Sequence, residues 1–257
     1  MIEFTKYHGA GNDFIMIDNR SAHFKGDKVA FAQKWCSRRF GIGSDGMIFI
    51  EKWGDGDFNM DFYNPDGSQS FCGNGSRCAV AFAKSLEIIK NKAHFLAVDG
   101  EHQAQVEIED FHIKMSDVFS IEQIGDDLFI DTGSPHYLIQ CDNTDSLNVV
   151  SEGQLIRYSD RFKEEGVNVN FIEDIESQRI KLRTYERGVE NETLACGTGA
   201  TAAALSFAYR NELKKGEVNV QVKGGELKVK FDRMENGFTN VWLIGPAVEV
   251  YKGVIDG

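Results

Sequence analysis

Two cysteines in this chain stand in the same short setting. Cys72 opens Cys72-Gly73-Asn74-Gly75, Cys196 opens Cys196-Gly197-Thr198-Gly199, and each motif runs into a segment of small and apolar residues. A thiol ahead of a glycine-rich turn into a helix has a defined chemistry. Glycines let a ligand come close to the backbone. A helix start offers N–H groups without intrahelical partners and a partial positive charge, a ready place for a carboxylate. The same field draws a thiol's pKa toward neutrality, where general acid–base catalysis works best. Two such helix ends, facing each other across a domain interface, would let a thiolate take a proton from one face of an α-carbon while a thiol gives one to the other. Enediolate charge would be stabilised where the carboxylate docks, and the stereocentre would invert without a cofactor. One motif alone is as readily a packed strand-to-helix turn; two in matching places favour the working pair. A single-nucleophile hydrolase would leave the second cysteine redundant, and no Gly-x-Ser-x-Gly elbow is present.

The elements that must carry these cysteines also come twice. Phe58, Met60 and Phe62 alternate with polar residues before the first motif, and Ile180, Leu182 and Thr184 do so before the second, which predicts a strand ahead of each. After each motif come an extended stretch, a glycine turn and another strand: Gly100 with Ala104, Val106 and Ile108, then Gly224 with Leu227, Val229 and Phe231. Gly100 lies 28 residues after Cys72, and Gly224 lies 28 after Cys196. Gly11-Asn12-Asp13-Phe14 and Gly133-Ser134-Pro135-His136 match further upstream. Coincidences held in register imply two related domains. The segments Ala79–Ala83 and Ala200–Leu205 have no polar face, so each predicts a fully buried helix. The expected fold is α+β (mixed α/β): two pseudo-symmetric domains, each a curved mixed sheet or barrel wrapped around a central buried helix. One domain is expected over residues 1–117, completed by 248–257, and the other over 118–247. Peripheral helices are expected after Asp27, a good N-cap, and after Ser151-Glu152-Gly153-Gln154, which fits a capping box.

Composition narrows the function classes. The net charge of −12 lacks the basic footprint of a nucleic-acid binder. No apolar run approaches the ~18 residues of a membrane span, and Met1-Ile2-Glu3-Phe4-Thr5-Lys6 lacks the form of a signal peptide. A cytoplasmic protein without membrane or nucleic-acid partners is the expectation. Five cysteines, an odd number widely spaced, make a poor disulfide framework and show no zinc spacing; Cys36 and Cys141 read as reduced interior thiols. Gly41-Ile42-Gly43 lacks the rest of a dinucleotide fingerprint.

Over essentially its whole length the chain resembles the diaminopimelate epimerases. The resemblance is carried by Lys6–Phe14, Gly41–Gly46, Phe62–Ser68 and Cys72–Cys78, then by Gly133–His136, Val167–Phe171, Tyr185–Gly188 and Ala195–Gly199. It implies interconversion of LL- and meso-diaminopimelate by a Cys72/Cys196 pair, with no pyridoxal phosphate, no metal and a homodimeric state. By analogy Cys196 takes the proton from the LL isomer and Cys72 delivers one. The backbone of Gly73-Asn74 and Gly197-Thr198 would hold the reacting carboxylate, and Glu186 and Asn12 the reacting ammonium. At the far end of the substrate Arg187 would grip the second carboxylate, with Asn64 and Asn168 beside it. His136 and Glu186 would tune the thiols. Three departures stand out: Ser134 where the family often has Asn, a glycine at 46 near which many members carry Gln, and a longer, more acidic stretch over 188–193. Two other readings stay open. A two-cysteine proline or hydroxyproline racemase would need no far-end clamp, and a non-catalytic amino-acid-binding protein would need no reactive thiols.

Overall fold

The computed structural model describes residues 1–257. In chain order its elements are β1 (Ile2–Gly9), β2 (Asn12–Asp18), α1 (Lys28–Trp35), β3 (Gly46–Glu51), β4 (Phe58–Tyr63), α2 (Gly73–Ser85), β5 (Lys92–Ala97), β6 (Gly100–Glu107) and β7 (Asp110–Lys114). There follow β8 (Ile121–Ile124), β9 (Asp127–Asp131), β10 (Pro135–Gln140), α3 (Val149–Arg157), β11 (Asn168–Glu176), β12 (Arg179–Glu186) and the short β13 (Asn191–Glu192). The chain ends with α4 (Gly197–Arg210), β14 (Lys215–Val222), β15 (Gly225–Met234), β16 (Gly237–Pro246) and β17 (Val248–Ile255). It divides into two compact units, Met1–Ile113 with Gly245–Gly257, and Lys114–Ile244.

In the first unit the strands pair in the order β17-β1-β2-β3-β4-β5-β6-β7. The pairings β2–β3 and β4–β5 are parallel and the rest antiparallel. In the second unit the order is β8-β9-β10-β11-β12-β14-β15-β16, with β10–β11 and β12–β14 parallel. The two successions are identical. The last strand of the chain therefore holds the place in the first sheet that β8 holds in the second. The match extends to single residues: Phe14 pairs with Gly46 across β2–β3 as His136 pairs with Asn168 across β10–β11.

Each sheet is covered on both faces. On one side lies the helix that follows a cysteine motif. In α2, Cys78, Ala79, Val80 and Ala83 are wholly buried; in α4 Ala200 and the run Ala202–Leu205 are. α2 packs on β1–β4, and α4 on β9–β12, β14 and β15. Small side chains on nearly every face are what let strands close in around a helix. An extra buried methylene there costs about 1–3 kcal/mol through strain. On the other side, α1 covers Ile15, Ile17, Met47 and Phe49, and α3 covers Val167, Val169, Phe171 and Tyr185. Strands buried on both faces read as continuous apolar runs, as Phe14–Ile17 and Met47–Ile50 do.

Three local expectations are corrected. The structural equivalent of Gly100 is Gly225, not Gly224: each opens its strand opposite the last residue of the preceding one, at φ 131° and 144°. That left-handed region is open to glycine. Ile108 lies beyond β6, in the turn to β7, at φ 57° and almost fully exposed; the alternation of Ala104 and Val106 ends before it. Helix α3 begins at Val149, so Ser151 is its third residue; the N-cap is Asn148, whose side chain accepts from Ser151 N at 3.3 Å. Asn is as good a cap as Ser.

Candidate functional site

Cys72 is the N-cap of α2. Its backbone is extended, and Sγ accepts a hydrogen bond from Gly75 N at 3.3 Å. The first backbone bond of the helix runs from Ser76 N to Cys72 O, so the N–H groups of residues 73–75 precede the intrahelical ladder. Asn12 is brought to the cysteine by the hairpin of β1 and β2, whose two turn residues, Ala10 and Gly11, both have positive φ. Asn12 Oδ1 accepts from Cys72 Sγ at 3.8 Å and from Asn74 Nδ2 at 3.1 Å, while Asn12 Nδ2 donates to Asp45 Oδ2 at 2.7 Å. Asn74 Oδ1 in turn accepts from Arg77 Nη2 at 2.8 Å. Both amides are thus fixed in orientation by a charged group at the far end of each.

Behind Asn12 lies a balanced cluster. Arg38 bridges Asp13 and Asp45 at 2.7 and 2.6 Å, and Lys6 pairs with Asp13 at 2.7 Å. Burial alone would raise the Asp13 carboxyl; hydrogen bonds from Arg38 and Lys6 prevail and hold it at about 2. Asn64 lies in the turn Asn64-Pro65-Asp66-Gly67, closed by Gly67 N donating to Asn64 O at 2.9 Å. Its side-chain nitrogen donates to Ser68 and Ser70 at 3.2 Å. What Asn64 offers a ligand is therefore its Oδ1.

In the second unit Cys196, 8% exposed, is the N-cap of α4. Its Sγ lies 3.5 Å from Thr198 Oγ1, and the helix ladder begins with Ala200 N donating to Cys196 O, beyond the N–H groups of Gly197 and Thr198. A Cβ at Gly199 would lie 2.8 Å from Asn170 Oδ1 and 3.3 Å from Cys196 Sγ, so only glycine leaves the thiol in place. His136 is completely buried, with Nδ1 3.0 Å from Asn170 Nδ2. The same Asn170 nitrogen lies 3.2 and 3.1 Å from the carbonyl oxygens of Tyr137 and Asn168, which only accept, and this identifies it as Nδ2, a donor to the imidazole. His136 is therefore the neutral tautomer with its proton on Nε2. Burial pushes its pKa down to about 3, so it can act beside a thiol only as a neutral group.

Asn168 ties two loops together: Nδ2 donates to Pro135 O at 3.1 Å and Oδ1 accepts from Arg187 N at 2.9 Å. Arg187 donates through Nη1 to Glu165 O at 2.9 Å and has no carboxylate within salt-bridge distance. Glu186 accepts from Thr193 Oγ1 at 2.9 Å. The extra acids of 188–193 are committed elsewhere. Glu190 accepts from the Tyr185 and Tyr158 hydroxyls, and Glu192 pairs with Arg183 at 2.7 Å and Lys223 at 3.1 Å. The glycine at 46 also has a local reason: a Cβ there would meet the Phe62 ring at 2.3 Å.

Burial pushes the Cys36 thiol up to about 12 and raises Cys78 and Cys141 as well; as protonated thiols these are poor nucleophiles and bases. Asp45, Arg77 and Asn170 were not among the candidates from sequence. Each lies inside a recognised motif, and the available signal was polarity within an apolar stretch, as with Asn170 between Val169 and Phe171.

The model of the family described as diaminopimelate epimerase matches residues 4–118 and 128–250. The diaminopimelate epimerase of Flavobacterium psychrophilum is 46% identical over 256 residues, covering 99% of this chain and 100% of that one. The diaminopimelate epimerase of Aquifex aeolicus is 38% identical, covering 98% and 97%. Among solved structures, a phenazine biosynthesis protein of the PhzF family from Bacillus anthracis superposes with a TM-score of 0.78 at 12% identity, covering 99% of each chain. A hydroxyproline epimerase from Agrobacterium vitis does so at 0.70 and 13%, covering 98% and 91%. At those identities the two structures share the fold.

Proposed function

Since this chain belongs to the diaminopimelate epimerase family, we propose that it interconverts LL- and meso-2,6-diaminopimelate without a cofactor, in the formation of lysine and of peptidoglycan precursors. One observation carries this reading: in each of two units with the same strand order, a cysteine caps the N-terminus of the helix buried against the sheet.

The α-carboxylate of the substrate would take hydrogen bonds from the N–H groups of Gly73, Asn74, Gly197 and Thr198, gaining strength as enediolate charge develops. Cys196 as thiolate removes the α-proton of the LL isomer, and Cys72 as thiol delivers one to the opposite face; the roles exchange in reverse. Asn12 and Glu186 receive the ammonium at the reacting centre. Arg187, whose charge no protein carboxylate answers, takes the distal carboxylate, with Asn168 and the Asn64 oxygen completing that end. His136 contributes as a neutral donor. The reading includes a homodimer acting in the cytoplasm; no helix is long and apolar enough to cross a membrane.

The test is incubation of the purified, reduced protein with LL-diaminopimelate and no added cofactor, followed by chiral separation. Appearance of the meso isomer supports the reading. Turnover of proline or hydroxyproline in place of diaminopimelate would move the assignment to the two-cysteine proline racemases. Binding without turnover of any of these would make the protein an amino-acid binder.

A further inference from the structure

Arg77 is the largest side chain buried completely in this protein. Its guanidinium donates through Nη2 to Asn74 Oδ1 at 2.8 Å and through Nε to Pro246 O at 3.4 Å, while Nη1 has no partner. No carboxylate lies within salt-bridge distance. An arginine stays protonated even when burial lowers its pKa, so the first unit carries in its interior a positive charge that no carboxylate pairs with directly; Asp110 on β7 acts on it only from farther off. The charges on the strands β1–β4 packed against α2 are taken up locally. Lys6, Asp13, Arg38 and Asp45 neutralise one another, and Lys28 takes both Glu51 and Asp61. His8 Nδ1 accepts from Gly11 N, and Cys78 is held as a neutral thiol by burial. Arg77 sits one turn into the helix that Cys72 caps, close enough to interact electrostatically with that thiol.

A buried cation without a directly paired carboxylate is destabilising unless something answers it, and an anion that comes and goes would answer it only during turnover. We propose that Arg77 is a positioning residue for Cys72: its guanidinium holds the Asn74 and Asn12 amides in register with the thiol and supplies a fixed positive charge behind the α2 N-terminus for the anion formed there. The inference rests on reading Cys72 as a proton-transfer group.

The test uses Arg77→Met, which removes charge and hydrogen bonds, and Arg77→Gln, which keeps hydrogen-bonding capacity without the charge. Site-specific alkylation of Cys72 by iodoacetamide across pH, read by peptide mass spectrometry, reports the thiolate without any substrate. In both variants Cys72 should alkylate at least tenfold more slowly at neutral pH, with the profile displaced to higher pH. The unfolding temperature should hold or rise, and kcat should fall at least tenfold. A folded variant with the wild-type alkylation profile would overturn the proposal. So would failure of both variants to fold, which would make the guanidinium a structural group. If the wild-type protein showed no turnover, the alkylation profiles would still decide the role of Arg77.

Discussion

Asn12 presents its side-chain oxygen to Cys72, 3.8 Å from Sγ. It does so because Asp45 holds the amide nitrogen of Asn12 at 2.7 Å. An acceptor aimed at sulfur favours the protonated thiol; rotation of the amide would replace it with a donor and favour the thiolate. Asp45 thereby bears on which form Cys72 takes, without touching it.

Asp45→Asn should therefore act on rate more than on stability. Asp45 is partly exposed and its ion pair with Arg38 is at the surface, where such pairs contribute about 0–1 kcal/mol. With the carboxylate gone, Asn12 can rotate. We expect kcat to fall about tenfold, equivalent to ~1.4 kcal/mol of barrier, with little change in the thermal midpoint. Steady-state kinetics beside a thermal melt will show the split.

His136 predicts a pH dependence of stability. Burial holds its folded pKa at about 3, against the ordinary imidazole value of 6.5. Below about 6.5 the unfolded chain binds a proton that the folded protein refuses until about 3. The contribution is therefore intact above 6.5 and is lost progressively as pH falls, with a slope approaching ~1.4 kcal/mol per pH unit. Urea unfolding between pH 7.5 and 5 should show that slope, and His136→Gln should reduce it. The imidazole resonances of His136 should not titrate over the same range.

The glycines after the two cysteines should differ in tolerance. A Cβ at Gly75 would meet the flexible ends of Ile48 and Met60 at 3.2 and 3.3 Å, and Ala is the better helix former by up to ~1 kcal/mol. Gly75→Ala should therefore be within ~1 kcal/mol of wild type in stability. A Cβ at Gly199 would lie 2.8 Å from the fixed Asn170 Oδ1 and against Cys196. Gly199→Ala should lower kcat by about ten- to a hundredfold, a misplacement effect of ordinary size. Parallel kinetics on the two variants makes the comparison.

Gly46 and Phe62 form a coupled pair. Gly46→Gln drives a side chain into the Phe62 ring and should cost about 1–3 kcal/mol. Phe62→Ala in the same chain should recover part of that loss. A double-mutant cycle in chemical denaturation measures the coupling.

The repeated core and the two cysteines were legible in the sequence because their signals are local and doubled. Strand alternation around Phe58–Phe62 and Ile180–Thr184, and helices without a polar face, need no knowledge of tertiary partners. The α3 cap was misread because Ser151-x-x-Gln154 satisfies the same pattern as a true capping box, and only the chain direction at Asn148 decides between them. Asp45, Arg77 and Asn170 stayed hidden for another reason. Each acts on a residue far away in the sequence, and composition does not say which amide a buried charge will hold. Arg187 was proposed as a ligand for an acid, and its lack of a protein carboxylate is a fact that only three-dimensional proximity supplies.

Solvent isotope entry during single turnover tests the central claim most directly. In deuterated water, LL-diaminopimelate should be converted to the meso isomer with one deuterium at the inverted α-carbon, and Cys72→Ala and Cys196→Ala should each abolish that conversion while still binding substrate. Inversion at an undiminished rate in either variant would contradict the account.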